Sequence, residues 1–154
     1  MRWLKVGLAV LGLAVVPLLV GACGSSSKSD TGTSGGAGEN TVGLGEFMIT
    51  PPTNSMHAGT VKITANNIGG EEHELVIVRA SDAAGLPTGQ KGSVNEDQID
   101  EADKVGEIED VAAGSEKSAS FDLTPGKYVA FCNIVDHMGD VHFSEGMHVG
   151  FTVT

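Results

Sequence analysis

From Thr41 to Thr154 apolar residues recur at every second position in short runs. The clearest is the last, where Met147, Val149, Phe151 and Val153 share one parity and His148, Gly150, Thr152 and Thr154 the other. Successive side chains on a strand point to opposite faces, so the first set lines a core and the second meets solvent. A helix would need a period near 3.6. The runs TVGLGEFMIT, GTVKITANN, HELVIV, KSASFDL and YVAFC read the same way, with turn chemistry between them in PPTN, Gly69-Gly70 and TPGK. Short strands so spaced, about seven to eight of them, predict an all-β sandwich. One stretch departs from the pattern. Residues 80–110 open with a loop containing Gly and Pro and continue as SVNEDQIDEAD, where Asn95 is placed to cap a short helix. It reads as a helical excursion of one or two acidic turns.

The first residues have another character. Arg2 and Lys5 precede an uncharged, mostly apolar span from Val6 to Ala22, which ends in small residues before Cys23. That is the layout of a secretory signal over residues 1–22. The span is a little short of the roughly 20 residues a bilayer-crossing helix needs. Val20-Gly21-Ala22-Cys23 resembles the lipobox of bacterial lipoproteins, which implies removal of the signal and lipidation of Cys23. The expected location is the cell membrane, lipid-anchored on its extracytoplasmic face. Residues 23–40 are dominated by Ser, Gly and Thr with no large apolar side chain. They read as a flexible tether with an end-to-end distance of roughly 20 to 25 Å. Residues 41–154 then make one domain.

The chain has two cysteines. A disulfide joining Cys23 to Cys132 is the usual expectation outside the cytoplasm, but a lipidated Cys23 leaves Cys132 as the only thiol. A lone thiol in an oxidising compartment is open to oxidation unless a bound metal occupies it. Cys132 is followed at a spacing of five by His137 and later by Met147. Thiolate, imidazole and thioether are soft or borderline ligands. A second histidine completes a trigonal His2Cys set with a long, weak axial sulfur, the arrangement of one-electron copper chemistry. The candidate is His73, which shares parity with Leu75 and Ile77 and so begins an inward-facing row. Met147 points inward by the parity of the last strand. Met138 competes for the axial place, although its neighbour His137 points in a different direction. His57, His142 and His148 read as surface residues, His142 being placed in the loop to lie over the site.

HELVIV after a glycine turn, TPGKYVAFCN, a histidine five residues beyond the cysteine and the Gly-Met pair opening the final strand together resemble the cupredoxins. These are the small blue copper domains of the plastocyanin, azurin and sulfocyanin kind, and the resemblance covers nearly all of residues 41–154. It implies a Greek-key β-sandwich, one type 1 copper held by His73, Cys132, His137 and Met147, and carriage of single electrons between redox partner proteins rather than enzymatic catalysis. The loop between His137 and Met147 is several residues longer than is usual in that family. The alternative is an extracytoplasmic lipoprotein that sequesters or delivers copper, and a third reading is a domain of this fold without metal. Asn133, beside the cysteine, reads either as a loop-holding residue or as an ordinary polar one.

The 9 basic and 20 acidic residues give a net charge of −11, and loss of Arg2 and Lys5 with the signal deepens it. Such a surface disfavours nucleic acid. The acidity gathers in Glu71, Glu72 and Glu74 and in Glu96, Asp97, Asp100, Glu101 and Asp103. It is suited either to steering a partner with a basic docking surface or simply to solubility.

Overall fold

The computed structural model describes residues 40–154. The expected signal, the lipidation site Cys23 and the tether up to Glu39 lie outside the described residues. Among the described residues there are nine strands: β1 Thr41–Gly45, β2 Met48–Thr50, β3 Ser55–Met56, β4 Gly59–Asn67, β5 His73–Arg79, β6 Lys104–Val111, β7 Glu116–Leu123, β8 Gly126–Phe131 and β9 His148–Val153. They form two sheets, in the orders β2-β1-β4-β7 and β3-β9-β8-β5-β6. Four of the seven neighbouring pairs are not consecutive in the chain, so connections pass between the two sheets, as in sandwiches with Greek-key connections. Leu44, Ile63, Ala65, Phe121 and Leu123 from the first sheet meet Leu75, Ile77, Tyr128, Ala130, Phe151 and Val153 from the second. Each large apolar side chain so buried contributes roughly 1.5–3 kcal/mol. The parity read from the last strand holds, with Phe151 and Val153 buried and His148, Gly150 and Thr152 exposed.

Three differences from the sequence reading have local causes. TVGLGEFMIT is two strands, because Gly45 pairs with Met48 across a Glu46-Phe47 turn in which Phe47 takes φ 58°. β6 lies within the stretch read as an excursion. It pairs with β5 so that His73 faces Val111 and Leu75 faces Ile108, two residues against three, which is a bulge. Its buried residues Ile108 and Val111 are therefore three apart, and period two fails there. The rest of the excursion forms three one-turn 3-10 helices, Ala83–Gly85, Gln90–Gly92 and Glu96–Gln98. Asn95 stands at the cap position of the third, but its side chain makes no capping bond.

The excursion covers the outer face of the second sheet, where Val94 and Ile99 pack with Val76, Val78, Val129 and Phe131. The run Leu75–Val78 is thus apolar without alternation because β5 is covered on both sides. β5 begins and β8 ends at the same pole, since Val76 lies opposite Phe131. Continued by one residue, that register sets Leu75 opposite Cys132, the residue following β8, with His73 two residues further along the same face.

Candidate metal centre

The loop between β8 and β9 is drawn back over this pole by its own backbone. Cys132 N–H donates to Met147 O (3.1 Å), Met147 N–H to His142 O (3.0 Å) and His142 N–H to Ile134 O (2.9 Å). Within the loop Val135 bridges Val141, Asp136 N–H donates to Asp140 O (2.9 Å) and Gly139 N–H to Asp136 O (3.0 Å). Residues 135–141 therefore form a small hairpin. The Asp136 carboxylate accepts from the amides of Met138 (2.8 Å) and Asp140 (2.9 Å), and these amides, Asp140 foremost, hold it below the usual carboxylate range. The extra loop length is consumed in this hairpin, which carries His137 outward and brings His142 to its base.

His73 Nδ1 and His142 Nδ1 lie 3.2 Å apart, and Cys132 Sγ is 3.4 Å from His142 Nδ1. The three donor atoms lie within 4.8 Å of one another and all three residues are buried. Met147 is fully buried in the same apolar cluster as Cys132. Met138 is 76% exposed. His137 is not in this group: its side chain is 77% exposed and its Nδ1 lies 3.3 Å from Glu71 Oε1. The structure thus brings together His73, Cys132 and His142, with Met147 beside them, where the sequence pattern pointed to His137. His142 is likewise a core residue and not a surface one, while His57 and His148 are exposed. Counting forward from Cys132 misses the hairpin. Counting back from the Gly146-Met147 pair, whose backbone bonds to residue 142, identifies the histidine.

Burial acts against the charged form of both His73 and Cys132. Burial lowers the pKa of His73, with the neighbouring His142 adding to the effect. Burial pushes the Cys132 thiol up to about 11, against the backbone amides of Glu74 and Ile134, which favour the thiolate. Both histidines keep a buried Nε2 without a hydrogen-bond partner. Buried polar groups left so cost about 1–3 kcal/mol each. Donors about 2.0–2.3 Å from a shared ion stand roughly 3.3–3.7 Å apart in a tetrahedral arrangement, close to the separations seen here. Two imidazoles, a thiol and a nearby thioether form a soft-to-borderline set and fit a late first-row transition metal.

The surrounding shell fixes these groups. Asn133 N–H donates to Glu74 Oε1 (2.9 Å), and its side chain accepts from Val94 N–H (2.8 Å) and donates to Val94 O (2.9 Å) and Glu96 Oε1 (2.8 Å). Asn133 therefore holds the loop. Burial raises the Glu74 pKa despite the Asn133 amide. Phe47 stands edge-on to the His142 ring at 5.5 Å. Glu46 accepts from the amides of Gly70 and Glu71. A Cβ on Gly69 would sit 2.6 Å from Glu46 Oε1, so glycine is required for that approach. Asn67, fully buried, donates to Glu71 O and Val111 O, both at 2.7 Å, and accepts from Gly69 N–H (2.9 Å). The turn at 68–72 is thus pinned from two sides.

No protein-family model matches the chain, and no curated protein matches it in sequence. Solved structures match it in fold. A dithionite-reduced auracyanin from the photosynthetic bacterium Roseiflexus castenholzii superposes with a TM-score of 0.52 at 20% identity, covering 74% of this chain and 94% of that one. Auracyanin A of the green thermophilic photosynthetic bacterium Chloroflexus aurantiacus, a blue copper protein, gives 0.50 at 19%, covering 74% and 98%. An azurin from the obligate methylotroph Methylomonas sp. strain J gives 0.50 at 17%, covering 74% and 95%. At such identities these likenesses concern the fold.

Proposed function

We propose that this protein, a cupredoxin by fold, binds one copper ion and carries single electrons between redox proteins. The observation that carries the reading is the buried convergence of His73 Nδ1, His142 Nδ1 and Cys132 Sγ. In it, His73 and His142 would hold the ion through Nδ1, Cys132 through its thiolate and Met147 through its thioether. Copper in such a set alternates between Cu(II) and Cu(I) with little change of geometry. The chain's contribution is to hold its donors still and dry. Three backbone hydrogen bonds tie Cys132, His142 and Met147 to one another and to Ile134. Asn133 anchors the loop to the excursion, and the core around Met147 excludes water. Buried donors suit retention of the ion through many cycles, which favours a carrier over a copper-delivery protein. A cavity of about 330 Å³ is lined by Arg79, Tyr128 and Thr124 at the opposite pole and touches none of these residues.

The test is an absorption spectrum of the purified protein with Cu(II). The thiolate is expected to give an intense visible band that Cys132→Ser abolishes. A colourless parent would refute the reading. The proposed working place is the outer face of the cell membrane, with lipid on Cys23 as anchor and the Ser/Gly-rich segment as tether. Cys23→Ala should then appear in the soluble fraction or remain unprocessed, whereas a correctly cleaved variant that still pellets with membranes would rule out lipid as the anchor.

A further inference from the structure

The two nitrogens of His142 face opposite ways. Nδ1 faces His73 and Cys132. Nε2, buried and without a hydrogen-bond partner, faces Glu71 Oε2 at 3.6 Å. Glu71, Asp136 and His142 each offer a donor atom within 4.8 Å of one another. His137 Nδ1 adds a fourth, 3.3 Å from Glu71 Oε1. The 3.6 Å and 3.3 Å separations from Glu71 also fit donors about 2.0–2.2 Å from a shared ion, and Asp136 lies within the wider 4.8 Å limit. The outer group differs from the inner one in access, since the Glu71 side chain is 33% exposed and that of His137 77%, whereas His73, Cys132 and Met147 are 0% and His142 1% exposed. The inner donors are thus out of contact with water, while the outer ones border it. Glu71 is held at the mouth by Asn67 and Glu46, and Asp136 by the hairpin amides on its Oδ1, which leaves Oδ2 free.

We propose that Glu71, Asp136, His137 and Nε2 of His142 form a second, outer metal site, through which the ion passes to the buried donors. The proposal rests on the copper reading of the inner site. Carboxylate oxygen and imidazole nitrogen suit divalent copper or zinc. The outer site is a transit site because a neutral imidazole has one free lone pair: when Nδ1 binds metal, the proton sits on Nε2 and the outer site loses its buried donor. In the transfer the bond to Nε2 breaks and one to Nδ1 forms. The proton on Nδ1 leaves, a proton is taken up at Nε2, and the Cys132 thiol proton departs to water; no electron moves. The Glu71 carboxylate then faces the new Nε2–H, the carboxylate–histidine–metal arrangement that orients ligand imidazoles.

The experiment mixes the metal-free protein rapidly with Cu(II) and follows both the thiolate band and freeze-quenched paramagnetic spectra. In the parent the first copper species is expected to have nitrogen and oxygen donors only, and the thiolate band to grow from it at a rate that saturates with Cu(II). Glu71→Gln combined with Asp136→Asn should reach the same final band at least about tenfold more slowly, without saturation. Glu71→Gln alone, which keeps the hairpin carboxylate, should show a smaller slowing in the same direction. Loading of the double variant at the parental rate, or a first species already bound to thiolate, would overturn the transit site and leave the copper reading standing. A parent that never develops the band would remove the inner-site reading, and the transit role with it.

Discussion

At Cys132 burial, with the nearby Glu74 carboxylate adding to it, pushes the thiol up to about 11. Metal binds the thiolate, so loading at neutral pH releases that proton. The sign follows: raising the pH favours binding, and the apparent affinity should climb about tenfold per pH unit from 7 toward 10 if one proton is released. His73, whose pKa is lowered, is already neutral there and adds no second proton. Competition against a chelator of known affinity across that range checks the slope, and a flat profile would mean that the thiol is not a ligand. Met147 and Met138 separate the two axial candidates. Met147→Leu keeps the volume of a fully buried side chain and should cost less than about 1.5 kcal/mol. Because the thioether bond is long, copper and colour should persist while the reduction potential rises, since loss of a sulfur donor destabilises Cu(II) more than Cu(I). Met138→Leu, at a side chain mostly in water, should leave the potential unchanged. Voltammetry on both variants decides, and a large shift confined to Met138→Leu would move the axial position to the loop.

Between strands and loops, local patterns were readable and register was not. Alternation along β9 and the inward row His73, Leu75, Ile77 are properties of a few adjacent residues, so parity placed Met147 and His73 without knowledge of any partner strand. β6 escaped because its bulge against β5 sets Ile108 and Val111 three apart, and a bulge is defined by the opposite strand. The choice of His142 over His137 depends in the same way on hydrogen bonds across residues 132–147 that no spacing rule contains. Asn67 shows what holds such elements in place. Its amide satisfies the carbonyls of Glu71 and Val111 and the N–H of Gly69, joining the end of β4, the turn before β5 and the end of β6. Asn67→Ala would leave these groups unpaired at a buried position. It should cost roughly 2–4 kcal/mol in urea unfolding: about 1–3 kcal/mol for the Val111 carbonyl, whose bond is buried, and less for the part-buried Glu71 carbonyl and Gly69 N–H, which water can reach. Parental stability would mean that water replaces the side chain there.

Among the described residues acidic groups stand at both poles. Glu46, Glu71 and Asp136 stand at the metal end, while Glu101 and Asp103 sit near Arg79 at the other, where the Arg79 main-chain N–H donates to the Asp103 main-chain carbonyl (2.8 Å) and the Lys104 ammonium pairs with Glu101 (2.6 Å). Lys104 neutralises part of the second set, whereas at the metal end Glu71 faces the imidazoles of His137 and His142, and Lys91 Nζ stands beside Gly139 of the hairpin. If the acidity at the metal end steers a basic partner, attraction of this kind should raise the association rate by about 10- to 1,000-fold at low salt. The association rate with a basic cytochrome should fall steeply as salt rises, because at physiological ionic strength exposed charges are screened beyond about 8 Å. Charge reversal then distinguishes orientation from bulk charge: Glu72→Lys, beside the mouth, should lower the low-salt rate and flatten the salt dependence far more than Glu101→Lys, although each changes the net charge equally. Stopped-flow mixing over a series of salt concentrations measures both slopes. Equal effects of the two reversals would mean that net charge alone acts, and a rate indifferent to salt would leave the acidic surface with solubility as its only role.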